Sequence, residues 1–176
     1  MNAVSELKIL ITGTMGAGKT TAIAAVSDIK PLSTDVANND LSVSKALTTV
    51  GMDYGELALG GGDVLRIYGT PGQERYSFMW KILVKGAMGL VILIDNSRPD
   101  PMADLHMYLQ EFSEFISHSP CVVGVGRTET HAKPHVDEFA DALACMNLQC
   151  PVIAVDVRQK DQVVQLLDLL LVQIEE

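Results

Sequence analysis

The sequence predicts an α/β domain: a mostly parallel, six-stranded sheet with one antiparallel edge strand and helices on both faces. Three observations carry that prediction. Short apolar runs recur along the chain, with amphipathic segments between them. Most of these runs are nearly continuous in Val, Ile and Leu, which marks strands buried on both faces of a parallel sheet. One run alternates instead, and a glycine-rich turn joins it to the next, as at a sheet edge.

The runs at 8–12 (KILIT), 64–68 (VLRIY), 89–95 (GLVILID), 121–126 (CVVGVG) and 151–156 (PVIAVD) are the parallel strands. Residues 52–59 alternate and connect to Val64 through Gly60-Gly61-Gly62-Asp63, giving the antiparallel edge hairpin. Helices are expected over 19–29, 79–85, 102–116 after Pro99-Asp100-Pro101, 136–146 after Lys133-Pro134, and 161–174. In the last, Val163, Leu166, Leu167, Leu170 and Leu171 share one stripe. Residues 30–50 are polar, contain Pro31, Asn38 and Asn39, and have no period. An irregular stretch of that length inside a domain is expected to be a functional loop.

The chain has 176 residues and a mass of 19.0 kDa, the size of a single domain. Hydrophobic residues make up 48% and charged residues 20%, which excludes a disordered chain. The balance of 13 Lys+Arg against 22 Asp+Glu gives a net charge of −9. That excludes a general nucleic-acid binder, which needs a basic footprint, but permits one small electropositive site. Mean hydropathy is +0.22, yet no apolar run approaches the roughly 18 residues of a membrane helix. The first residues lack a charged segment followed by an apolar one, and position 2 is Asn rather than Gly. With a final Gln173-Ile174-Glu175-Glu176, the expectation is a cytoplasmic protein without a direct membrane anchor. Cys121, Cys145 and Cys150 have no CxxC spacing and read as small buried hydrophobes. His106, His118, His131 and His135 are scattered without metal-ligand spacing.

Chemistry begins at the first strand-to-helix turn. Gly13-Thr14-Met15-Gly16-Ala17-Gly18-Lys19-Thr20 matches GxxxxGK[ST] at every defined position, between a strand and a helix that continues through Thr21. Glycines let the chain curl so that successive backbone N–H groups point at phosphate oxygens, and the helix N-terminus adds partial positive charge. In such a loop Lys19 reaches the β- and γ-phosphates and the Thr20 hydroxyl holds Mg²⁺.

From this motif onward the sequence resembles the Ras-like small GTPases over nearly its whole length, which implies a three-layer P-loop NTPase fold and GTP/GDP with Mg²⁺ as ligands. Residues 49–54 (TVGMDY) look like the end of that family's mobile loop, which would make Thr49 the Mg²⁺-linked sensor of the γ-phosphate, with Thr48 the alternative register. Gly69-Thr70-Pro71-Gly72-Gln73-Glu74 is similar to the family's DTAGQE segment. By that resemblance the Gly72 N–H meets the γ-phosphate and Gln73 orients the attacking water. The family's Asp is Gly69 here, and the carboxylates near it in sequence, Asp35 and Asp53, read as a solvated loop residue and an edge-strand residue.

The base-reading segments also depart from the family. Gly126-Arg127-Thr128-Glu129 stands where the family has NKxD. Glu129 retains the carboxylate fork, Arg127 offers its stem or guanidinium to the base, and Gly126 lacks the amide side chain. Asp156-Val157-Arg158 replaces the family's SAK turn, where the Val157 N–H would meet guanine O6. The GTPGQ segment resembles a bacterial branch related to gliding-motility GTPases, whose relatives work with roadblock-type regulators. The resemblance implies a slow GTPase acting with a roadblock-type or GTPase-activating regulator and an effector.

No Arg lies between Lys19 and Thr49, and Arg75 is the one arginine in the second loop, 69–81, so fast turnover is expected to need a partner. Two other readings stay open: a degenerate nucleotide-binding module with relaxed GTP/ATP specificity, and a small P-loop kinase, whose arginine-rich lid has no counterpart here. Trp80, with Tyr76 and Phe78, is either a partner patch or the packing of a short helix.

Overall fold

The alternating and continuous apolar runs become a sheet that buries both of its faces. The computed structural model describes residues 6–33 and 52–175. Its strands are β1 (Glu6–Gly13), β2 (Leu32–Ser33), β3 (Asp53–Ala58), β4 (Val64–Gly69), β5 (Gly89–Asp95), β6 (Cys121–Gly126) and β7 (Val152–Ala154). Their order is β2-β3-β4-β1-β5-β6-β7. β4, β1, β5, β6 and β7 run parallel to one another, and β3 pairs antiparallel with β4. The expected six strands are all present. The seventh, β2, is a two-residue strand antiparallel to β3, too short to carry a pattern.

Alternate residues along each central strand feed two separate cores. On one face, Ile9, Ile11, Leu65 and Ile67 pack with Ile23 and Val26 of α1 (Lys19–Val26). Val163, Leu166, Leu167 and Leu170 of α6 (Lys160–Glu175) complete that layer. On the other face, Leu10, Leu90, Ile92 and Val123 meet Trp80 and Leu83 of α2 (Ser77–Leu83). Leu105, Tyr108 and Leu109 of α3 (Pro101–Glu111) and Phe139 and Leu143 of α5 (Val136–Cys145) fill the rest. Of the expected stripe on the last helix, Leu171 is half-exposed at its edge.

Helix ends follow local chemistry. Asp100 caps α3, its Oδ1 accepting the Ala103 N–H at 2.9 Å, and Pro101 supplies the first turn. The helix expected over 102–116 breaks at Phe112, leaving a single-turn α4 (Ser113–Ile116). The first helix ends at Val26 rather than residue 29, because Ser27 turns to an extended conformation. Of the cysteines expected to be buried, Cys121 is buried, Cys150 is half-buried and Cys145 is exposed near the end of α5.

The topology fixes where a ligand goes. β1 is central, with β4 on one side and β5 on the other, so the loop after it opens where the strand order reverses. A crevice outside the carboxyl ends of parallel strands forms at that point.

Candidate functional site

The turn after β1 opens onto a cleft of about 480 Å³. Residues from five regions line it: 15–21, Asp53, 70–73, Gly126 and Arg127 with Glu129 and Thr130, and 155–158. The structure therefore gathers every predicted segment it describes into one place. Thr49, with the alternative Thr48 and the carboxylate of Asp35, lies outside the described residues.

The phosphate loop is organised around Lys19. Its Nζ donates to the carbonyls of Gly13 at 2.7 Å and Thr14 at 2.9 Å, so these two buried residues support the lysine from beneath the cleft. Burial pulls the Lys19 ammonium down to about 8, against a smaller opposing effect of the Asp53 carboxylate. Gly18 enters α1 in a left-handed conformation, φ 98°, and a β-carbon there would stand 2.6 Å from Val157 Cγ2. Contact between the phosphate loop and the 156–158 turn thus depends on that glycine.

Beside it, the Thr20 hydroxyl donates to Asp53 Oδ2 at 2.6 Å. Asp53 is neither solvated nor peripheral: it is 3% exposed at the start of β3, and its other oxygen, Oδ1, is buried without a hydrogen-bond partner. The register places Asp53 opposite Gly69. A β-carbon on Gly69 would lie 3.0 Å from Asp53 Cβ and 3.3 Å from its Oδ2. A carboxylate from β3 thus occupies the space beside the position where the resemblance expects one from β4. An unsatisfied carboxylate oxygen next to a threonine hydroxyl is a hard-oxygen donor set that fits Mg²⁺.

The 70–73 segment is stapled to β1. The Thr70 N–H donates to the Ile11 carbonyl at 3.0 Å, and the Thr12 and Thr70 hydroxyls are 2.8 Å apart. The Trp80 Nε1–H donates to the Pro71 carbonyl at 2.8 Å. Trp80 is 1% exposed and stacks on Phe112, so it is packing and not a partner patch, while Phe78 of the same helix is exposed. Gly72 approaches the phosphate loop closely: a β-carbon there would stand 2.6 Å from the Met15 nitrogen and 2.8 Å from Lys19 Nζ. Gln73 Nε2 lies 3.8 Å from the Met15 sulfur, a weak acceptor.

The base-side wall is charged. Arg127 donates from Nη2 to the Gly16 carbonyl at 2.9 Å, and its Nε lies 2.9 Å from Asp95 Oδ1 in an ion pair. Arg158 grips Asp156 with Nε at 2.8 Å and Nη2 at 2.7 Å. That guanidinium holds the Asp156 carboxyl down at about 2 and is itself shifted upward. Glu129 is exposed on the same wall, and its charge acts on Arg158. Sequence reasoning missed Asp95, the end of an all-apolar strand, whose role depends on a residue far along the chain. It also missed Thr130, which lines the cleft with no motif to mark it.

Comparison with known proteins follows the same outline. Residues 8–176 match the profile of the Ras family. The chain is 29% identical over 143 residues to the Ras-related protein Rab-1C of Dictyostelium discoideum, an alignment covering 78% of this chain and 67% of that protein.

Proposed function

Because this chain belongs to the Ras family, we propose that it is a guanine-nucleotide switch that binds GTP and GDP with Mg²⁺ and hydrolyses GTP slowly. The observation that carries this reading is the bond from Thr20 to the buried Asp53, which supplies a carboxylate beside Gly69. Thr20 and Asp53 would hold Mg²⁺, Asp53 through its unpartnered Oδ1, and the ion would neutralise charge on the β- and γ-phosphates. Thr49 belongs to this reading as the sensor of the γ-phosphate.

The remaining work falls to the chain. Backbone N–H groups of the 13–20 loop cradle the phosphates at the start of α1. Lys19 exchanges its two carbonyl partners for phosphate oxygens. The Gly72 N–H approaches the γ-phosphate and Gln73 orients the attacking water. Glu129 accepts from guanine, Arg127 flanks the base, and the 156–158 turn presents the Val157 N–H to it.

The arginines on the cleft support partner control. Arg127 and Arg158 line it, and each is already paired with a carboxylate. Arg75 lies over the Tyr76 ring. A transition-state arginine therefore comes from a regulator, of the roadblock or GTPase-activating type implied by the sequence. An effector then reads the loaded state. Among the described residues no helix is long and apolar enough to cross a membrane, and the reading places the protein in the cytoplasm.

A second reading, relaxed base selection with little hydrolysis, is favoured by Gly126, which brings no side chain to the base-side wall. Calorimetry with GTP, GDP and ATP in the presence and absence of Mg²⁺ separates the two, followed by phosphate release from wild type and Gln73→Leu. Guanine-selective, Mg²⁺-dependent binding and turnover lost in Gln73→Leu are expected. Equal ATP and GTP binding, with turnover indifferent to Gln73, would move the assignment to the second reading.

A further inference from the structure

One buried carboxylate beside the cleft enters the reading above only as the partner of Arg127. Asp95 ends β5 and is 7% exposed. Its Oδ1 accepts from the Ser97 N–H at 2.9 Å and the Ser97 hydroxyl at 2.6 Å, so it is held in place from its own turn. The same oxygen forms an ion pair with Arg127, 2.9 Å from its Nε, while Arg127 Nη2 donates across to the Gly16 carbonyl at 2.9 Å. Next to it, the buried Asn96 donates from Nδ2 to the carbonyls of His131 at 2.6 Å and Pro134 at 3.1 Å. Residues 95 and 96 therefore hold both ends of the 127–134 loop.

The chemistry of arginine makes this arrangement specific. A guanidinium is a rigid planar fork that can engage two acceptors at a fixed angle, whereas an ammonium is a point charge on a flexible stem. The Arg127 side chain is about half-exposed and without an anchor would sample many rotamers. An anionic acceptor fixed by Ser97 removes that freedom and aims the second branch at the phosphate loop. We infer that Asp95 is a positioning residue for nucleotide retention: it locks Arg127 onto Gly16, so that the base-side loop and the phosphate loop hold a bound nucleotide as one unit. This rests on the guanine-nucleotide reading.

The test uses the full chain loaded with methylanthraniloyl-GDP and chased with unlabelled GDP. Release is timed for wild type, Asp95→Asn, Arg127→Gln and the double variant, and thermal melting monitors folding. Asparagine at 95 keeps an oxygen for Ser97 and removes the charge that holds Arg127. Release is expected to be about three- to tenfold faster in each single variant, the scale of a partly exposed ion pair. The double variant is expected to be no faster than the faster single one, because the two residues act through one contact.

Unchanged release in Asp95→Asn overturns the inference, as does a double variant in which the two effects multiply. Arg127→Lys carries the test if Asp95→Asn fails to fold. Lysine cannot bridge both acceptors, so release as slow as wild type would overturn the clamp, and faster release supports it. Failure of the wild-type chain to retain the labelled GDP at all overturns the guanine-nucleotide reading and the clamp with it.

Discussion

Asp53 stands opposite Gly69 across the β3–β4 pair, and the carboxylate from one strand fills the space that the missing side chain of the other leaves open. The Thr20 hydroxyl, 2.6 Å from Asp53 Oδ2, ties this pair to the phosphate loop.

That relationship predicts a reciprocal substitution. Asp53→Asn should weaken Mg²⁺-dependent GTP binding about ten- to a hundredfold, the range for residues that hold or orient a metal. Gly69→Asp alone should destabilise the fold by about 1–3 kcal/mol through crowding, since its β-carbon would lie 3.0 Å from both Asp53 Cβ and Ile23 Cδ1. Combining Asp53→Gly with Gly69→Asp should recover much of the binding. Calorimetry and urea unfolding check the three variants, and a Gly69→Asp protein as stable as wild type would contradict the geometry.

Lys19 predicts a pH dependence. In the free protein burial brings its pKa to about 8, and bound phosphates raise it again by favouring the charged form. Binding then takes up a proton above pH 8, so affinity for GDP is full below about pH 8 and falls as the pH rises toward the bound-state value. The free protein behaves oppositely. Between about 8 and the ordinary 10.5 the unfolded chain binds more protons at this position, so Lys19's contribution makes folding more favourable as pH rises. GDP titrations in buffers of different ionisation enthalpy measure the uptake directly, and an affinity flat over this window would count against the assignment.

Trp80 is the single tryptophan, buried and bonded to the Pro71 carbonyl two residues before Gln73. Its fluorescence should therefore change when GDP is exchanged for a non-hydrolysable GTP analogue. Trp80→Phe leaves the Pro71 carbonyl unpartnered and should cost about 1–3 kcal/mol in urea unfolding. A loss below about 0.5 kcal/mol would mean that the bond contributes little.

Gly72→Ala tests the close approach of the 70–73 segment to the phosphate loop. The new methyl would meet the Met15 nitrogen at 2.6 Å and Lys19 Nζ at 2.8 Å, so the segment must retreat. Single-turnover GTP hydrolysis should fall at least tenfold, because a displacement near 1 Å can cost far more than that. GDP affinity should change less. Equal losses in both would place the effect in general loop distortion instead.

The legible features of this chain are the ones written in consecutive residues. The phosphate loop is a backbone shape specified by eight neighbouring positions, and the strands announce themselves as short apolar runs whose two faces fill two cores. Trp80 is ambiguous in sequence because an aromatic in a short helix suits a core or an interface equally, and its burial and stack on Phe112 settle it. The break at Phe112 and the two-residue β2 are below the scale at which periodicity can be read.

Sequence by itself determined the α/β class, the position of the phosphate loop and the segments that would surround it, because these depend on local propensity and contiguous pattern. Tertiary structure alone decided which distant side chains complete the site. Thr20 and Asp53 are 33 residues apart, and Arg127 lies 111 residues from the Gly16 carbonyl it meets. Those pairings follow from strand register and from the crossing of loops at the sheet's switch point, where a one-residue slip would put a different side chain beside Gly69.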